Sequence, residues 1–177
     1  MFPYGLYVPG NKPLFMKLAQ SGKRVIMGLM GLLTVGCQAA DQAPCSSATV
    51  TAKAPQEEVT ALRQLIDRQK ISATPDRRGF YYRVQSPGSG SKPTVCSTVT
   101  VNYTGTLTNG TTFDSGSGVR FGLGQLIVGW QEGIPLIAPG GSITLYLPPS
   151  LAYGEQAQEG IPANSILIFR IDLVKSE

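Results

Sequence analysis

Three stretches of the chain alternate apolar and polar residues with a period of two. Val99, Val101 and Tyr103 fall on one face and Thr98, Thr100 and Asn102 on the other. Ile143, Leu145 and Leu147 alternate against Thr144 and Tyr146, and Leu167, Phe169, Ile171 and Leu173 against Ile168, Arg170 and Asp172. Alternation among β-branched and aromatic residues predicts half-buried strands. The first of these should end at Thr104-Gly105, with Asn109-Gly110 supplying a tight hairpin turn. Thr111, Thr112 and Phe113 then lead to Asp114, and a loop over Ser115–Gly118 returns to Phe121. Phe80–Val84 (FYYRV) predicts a further strand, ahead of a turn-rich connection at Ser86–Pro93. Helical periodicity is confined to two places. Over Gln56–Lys70, Val59, Leu62, Leu65 and Ile66 form one stripe, with Glu57 and Glu58 opening it and Arg68 and Lys70 closing it, in keeping with the helix dipole. Trp130–Ile137 predicts a short helix that Pro135 stops early. Antiparallel strands and so few helices give an α+β class: a curved sheet wrapped around one short helix.

The amino-terminal third follows no such pattern. Met1–Phe15 has no structural period, which points to Met16 as the true start. Lys17, Lys23 and Arg24 precede Val25–Val35, apolar over eleven residues. At about 1.5 Å per residue that helix is too short to span a bilayer core of about 30 Å, and the pattern is that of a secretory signal. The expected organisation is a signal segment over 1–36, a tether over 37–55 rich in Ala, Ser, Thr and Gln, a short amphipathic helix within 56–72, and one domain over 79–177.

Charge and residue usage then narrow the chemistry. The formal charge is +4, but residues 1–36 hold Lys12, Lys17, Lys23 and Arg24 and no acid, leaving eleven basic and eleven acidic residues in 37–177. A nucleic-acid partner therefore has no electrostatic support. The chain has no histidine, which excludes Ser-His-Asp and Cys-His catalysis and imidazole acid–base chemistry. Three cysteines, Cys37, Cys45 and Cys96, argue against a zinc site, and neither a metal nor a cofactor is expected. Cys45 and Cys96 either pair, pinning the tether to the domain in an oxidising compartment, or are independent thiols.

Two sets of residues carry resemblances. Leu33-Thr34-Val35-Gly36-Cys37 resembles a bacterial lipobox, which makes Cys37 a candidate lipidated amino terminus; ordinary cleavage after Ala39 is the alternative. VNYTGTLTNGTTFDS, the run from Phe121 to GWQEG, LPPSLAYG and GIPANSILIFRIDLV, in this order across Gly79–Glu177, resemble the FKBP-type peptidyl-prolyl cis-trans isomerases, and among them the bacterial secreted and macrophage infectivity potentiator-like branch. The resemblance implies a pocket with Trp130 as floor and Tyr103, Phe113, Phe121 and Phe169 as walls. Leu126 and Ile127 line one edge, with the Ile127 N–H as a donor, Tyr153 offers its hydroxyl from the rim, Asp114 lies beside Phe113, and Ile161 flanks the entrance. It implies proline-containing polypeptides as substrates and family macrolides as inhibitors. The signal pattern and the lipobox point to export to the periplasm or anchoring at the outer membrane through Cys37. Because this branch dimerises through a long amino-terminal helical region where this chain shows only the short 56–72 helix, a monomer is expected. A non-catalytic chaperone using the same pocket is the competing reading.

Each ring also has a structural explanation. Aromatic residues are common in cores, and Phe169, in an alternating strand, fits a core better than a site. Asp114 distinguishes the group, because a carboxylate there needs partners; as a loop cap it could find them in nearby backbone N–H groups. The sequence departs from the family pattern in the short Ser115–Arg120 segment, the EQAQEG loop at 155–160 and Ala163, where a second proline is frequent.

Overall fold

The computed structural model describes residues 51–177. Six strands form one antiparallel sheet: β1 (Thr74–Pro75), β2 (Tyr81–Ser86), β3 (Thr98–Leu107), β4 (Thr112–Gly122), β5 (Ser142–Leu147) and β6 (Leu167–Ser176), in the order β1-β2-β5-β6-β3-β4. Helices α1 (Gln56–Arg68) and α2 (Val128–Gly133) lie outside the sheet. The signal segment, Cys37, Cys45 and the tether up to residue 50 lie outside the described residues. Cys96 is disulfide-bonded.

The alternating strands behave as their patterns require. On β3, Val99, Val101 and Tyr103 are buried while their neighbours are half-exposed. The inward residues of β3, β5 and β6 share one core cluster with Trp130 and Ile134 of the α2 region, so α2 fills the concave face. Two glycines let it approach: a Cβ on Gly129 or Gly133 would come within 2.3 Å of Leu147 or 2.5 Å of Leu145. The helix passes at Ile134–Leu136 into a 3-10 turn containing Pro135, consistent with proline ending α-helical hydrogen bonding there.

The opposite face is covered as well. Leu62, Leu65 and Ile66 of α1 pack with Tyr146, Tyr81, Ile166 and Ile168 on the convex side. Tyr146, on the polar side of its strand's pattern, is 8% exposed because α1 sits on it. A 13-residue helix is marginal alone, and this docking supplies the missing stability. The helix ends with Lys70 in a left-handed conformation (φ 53°), where Lys70 N–H donates to Asp67 O and Ile71 N–H to Ile66 O.

Three local expectations are corrected. Strand β3 does not stop at Thr104-Gly105 but continues to Leu107. The Ser115–Gly118 loop is part of β4, whose pattern is interrupted by two bulges. At the first, Ser117 and Gly118 oppose Asn102 alone, and the Asn102 carboxamide oxygen accepts from Gly118 N–H (2.8 Å) and the Ser117 hydroxyl (3.0 Å). At the second, Phe113 is the extra residue between Thr112 and Asp114. Finally, α2 begins at Val128, two residues before Trp130, and β1 is an additional two-residue strand. The hairpin at Asn109-Gly110 forms with positive φ at Gly110 only, closed by Gly110 N–H to Leu107 O and by the Asn109 side chain accepting from Thr111 N–H.

Candidate active site

Five of the expected rings form one cluster centred on Trp130. The indole packs edge-to-face on Tyr103 (centroids 5.3 Å apart, 79°), Phe169 (5.3 Å, 88°) and Phe121 (5.9 Å, 88°). Phe113 stands at 5.5 Å and 87° from Phe169, and Tyr103 at 6.1 Å from Phe121. Tilted contacts of this kind set the positive ring edge against the negative face and favour a fixed arrangement. The members come from four elements: Tyr103 from β3, Phe113 and Phe121 from β4, Trp130 from α2, and Phe169 from β6. Gly105 makes the close approach possible, since a Cβ there would lie 2.5 Å from Phe113 and 2.9 Å from Phe169.

Burial sorts the group into floor and rim. Trp130 and Phe169 are 0% exposed, while Phe113, Asp114 and Tyr153 are half-buried. Phe169 is thus as much core as wall, and the indole lies wholly beneath its neighbours. Leu126, Ile127 and Ile161 are buried in the same cluster, against which Tyr153 packs. The loop bearing Leu126 and Ile127 is held by Gln131, a buried residue whose side-chain amide donates to Leu126 O at 2.6 Å. Trp130 N–H and Gln131 N–H both donate to Ile127 O; the Ile127 N–H donates to no described residue. An open concavity of about 370 Å³ lies elsewhere, bordered by Asn102, Thr104, Ser115, Arg170 and Asp172 on the sheet's outer face, and among the rings only Tyr103 borders it.

One carboxylate and one phenol give the site its polarity. The Tyr103 hydroxyl donates to Asp114 Oδ2 at 2.7 Å. Burial pushes the Tyr103 pKa far above its ordinary value, reinforced by the hydrogen bond to Asp114 and by the negative charge of Asp114, so the phenol keeps its proton and donates. Burial also raises Asp114, against the opposing hydrogen bonds from the Tyr103 hydroxyl and Ser115 N–H. Asp114 thus accepts from a ring hydroxyl and from its neighbour's backbone N–H, within strand β4 and not at the mouth of a loop. The indole N–H of Trp130 is buried with no acceptor among the described residues. Such a donor costs about 1–3 kcal/mol, a sacrifice typical of functional sites. Among the described residues no three His, Cys, Asp or Glu side chains gather as a metal site would need.

A single curled sheet encloses one short helix, and between them lies an aromatic cluster bounded by a Tyr–Asp pair. Residues 89–174 match the family model described as FKBP-type peptidyl-prolyl cis-trans isomerase. Over 103 residues the chain is 45% identical to the FKBP-type peptidyl-prolyl cis-trans isomerase FkpA of Aeromonas hydrophila, covering 56% of this chain and 38% of that one. Over 101 residues it is 46% identical to the peptidyl-prolyl cis-trans isomerase Mip of Coxiella burnetii, covering 54% of this chain and 44% of the relative. The crystal structure of FkpA from Escherichia coli superposes with a TM-score of 0.62 at 35% identity, over 68% of this chain and 60% of that one. The chain belongs to the FKBP-type peptidyl-prolyl cis-trans isomerase family, and it spans less than half the length of the curated relatives it matches.

Proposed function

We propose that the chain is a peptidyl-prolyl cis-trans isomerase that rotates Xaa-Pro bonds in exported polypeptides. The observation that carries this reading is the Trp130-centred ring cluster closed on one side by the Tyr103–Asp114 hydrogen bond. A prolyl amide rotates slowly because twisting breaks resonance against a barrier of about 18–20 kcal/mol. The planar amide is the more polar state and is held by water on its carbonyl. A dry pocket removes that stabilisation and favours the twisted form. Each 1.36 kcal/mol of preference for the twisted over the planar amide gives about tenfold in rate.

The residues divide this work. Trp130 forms the floor for the prolyl ring, with Tyr103, Phe113, Phe121 and Phe169 as walls and Leu126 and Ile161 at the edges. The Ile127 N–H and the Tyr153 hydroxyl hold carbonyls on either side of the bond, and Asp114 fixes the Tyr103 ring. Trp130 has no exposed surface, whereas Phe113 and Tyr153 are half-buried, so the substrate meets these rim side chains first. No proton moves, so the lack of histidine does not limit the mechanism.

The wider assignment follows from the same reading. Export by the 1–36 segment, anchoring through lipid on Cys37 and pairing of Cys45 with Cys96 make this a monomeric, tethered periplasmic enzyme, with the 79–177 domain open to inhibition by family macrolides. A protease-free assay on Xaa-Pro peptides tests it. Wild type should accelerate isomerisation, and Tyr103→Phe and Asp114→Ala should stay folded yet lose about tenfold or more, the equivalent of one lost hydrogen bond. Absence of catalysis by the folded protein overturns the proposal; suppression of aggregation without turnover would point instead to a binding module.

A further inference from the structure

Helix α1 lies outside the matched family region, yet two contacts run from its start to elements that carry the site. The first concerns the turn that bears Tyr153. Residues Pro149–Leu151 form a 3-10 turn with no side-chain cap of its own. Pro148 and Pro149 have no N–H, so Ser150 supplies the first donor of the turn. That N–H donates to Glu58 Oε2 of α1 at 2.9 Å, across 92 positions of sequence. The turn is internally stiff, because Ala152 N–H (2.9 Å) and Gly154 N–H (2.8 Å) both donate to Pro149 O and so bracket Tyr153. Glu58 therefore grips the unit that holds the Tyr153 side chain.

The second contact reaches α2. Ala54, just before α1, donates its N–H to Arg78 O at 2.8 Å, and Gly79 (φ 98°) lies so close that a Cβ would meet Val59 at 2.5 Å. The Arg78 guanidinium, only 14% exposed, pairs at 2.9 Å with Glu132, two residues beyond Trp130. Burial raises the Glu132 pKa against the opposing charge of Arg78. The buried face of α1, meanwhile, is fastened by Leu62, Leu65 and Ile66 to the convex side of the sheet. A docked helix thus clamps the rim turn directly and the floor helix through the 76–79 turn.

We infer that α1 is a positioning element of the active site and that Glu58 is a positioning residue, holding the Tyr153 hydroxyl where it meets the substrate carbonyl. The kinetic half of this inference rests on the proposed isomerase function; the structural half does not. The test uses the full chain carrying Glu58→Ala, Glu58→Gln, Tyr153→Phe, and Glu58→Ala with Tyr153→Phe. Amide hydrogen exchange should accelerate across Ser150–Gly154 in Glu58→Ala, with β3 and β6 unchanged. KM for an Xaa-Pro peptide should rise roughly fivefold, as loss of one partly exposed charged hydrogen bond implies, with kcat changed less. Glu58→Gln keeps an acceptor oxygen and should restore most of the affinity. The Glu58→Ala loss should vanish in the Tyr153→Phe background, since the two act through one hydroxyl. Unaltered exchange at Ser150–Gly154 overturns the inference whatever the activity, and so does a loss that persists in full without the Tyr153 hydroxyl. A wild-type protein that does not isomerise refutes the function instead, and exchange alone then decides the role of Glu58.

Discussion

Asp114 is a carboxylic acid whose protonated form the fold favours. Burial raises its pKa, and the hydrogen bonds from Tyr103 and Ser115 oppose the shift without cancelling it. Its contribution to stability is therefore complete below the unfolded carboxylate value of about 3.9 and is lost as pH rises through the folded value. The neutral isostere Asp114→Asn keeps an oxygen for Tyr103 and is expected to melt at a higher temperature than wild type at pH 7. At pH 3 the two should melt together; a lower Tm for the variant at pH 7 would show that the charged hydrogen bonds outweigh burial. The sequence made Asp114 conspicuous because a carboxylate among rings needs partners, but its partner Tyr103 was visible only as a ring. Gly105 carried no such signal. It reads as the end of a strand, whereas it is the place where Phe113 and Phe169 need room.

Elements were legible in proportion to how evenly they are buried. Strands β3, β5 and β6 each have one face on the main core, so their apolar residues recur at every second position. The pattern is blurred only at Tyr146 and Ile168, where α1 covers the other face. Strand β4 is an edge strand with few buried residues and two bulges, each shifting the alternation by one, so its middle reads as a loop. Helix α1 was legible from its stripe, but not the surface it covers, because the stripe tells which face is buried and not against what. Docking on Tyr146 and Ile168 makes α1 part of the cooperative unit. Leu62 is fully buried at that contact, so Leu62→Ala should cost about 2–4 kcal/mol in a denaturant melt that keeps one transition. A loss below about 1 kcal/mol, or a separate early transition, would mean that the helix folds independently of the sheet.

At the scale of the whole molecule, the sheet holds one helix on each face and draws the site from residues 103 to 169, so the part before α1 bears on function through where it fastens. Cys96 stands two residues before β3 and is disulfide-bonded. The chain offers two partners, Cys37 and Cys45, and their proposed fates are exclusive: a Cys37 sulfur carrying lipid cannot also carry a disulfide. The sequence left pairing open because parity and compartment say nothing of distance. If Cys37 is the anchor, Cys45 closes a loop of about fifty residues onto the domain, and opening it should cost roughly 2–4 kcal/mol through the freedom regained by the unfolded chain. Non-reducing peptide mapping of membrane-extracted protein should recover Cys96 joined to Cys45, and Cys96→Ser should reproduce the stability lost on reduction. Recovery of Cys96 joined to Cys37 would remove the lipid anchor and move the point at which the tether is pinned from Cys45 to Cys37. The isomerase site would be untouched, because none of its rings or donors lies before Tyr103.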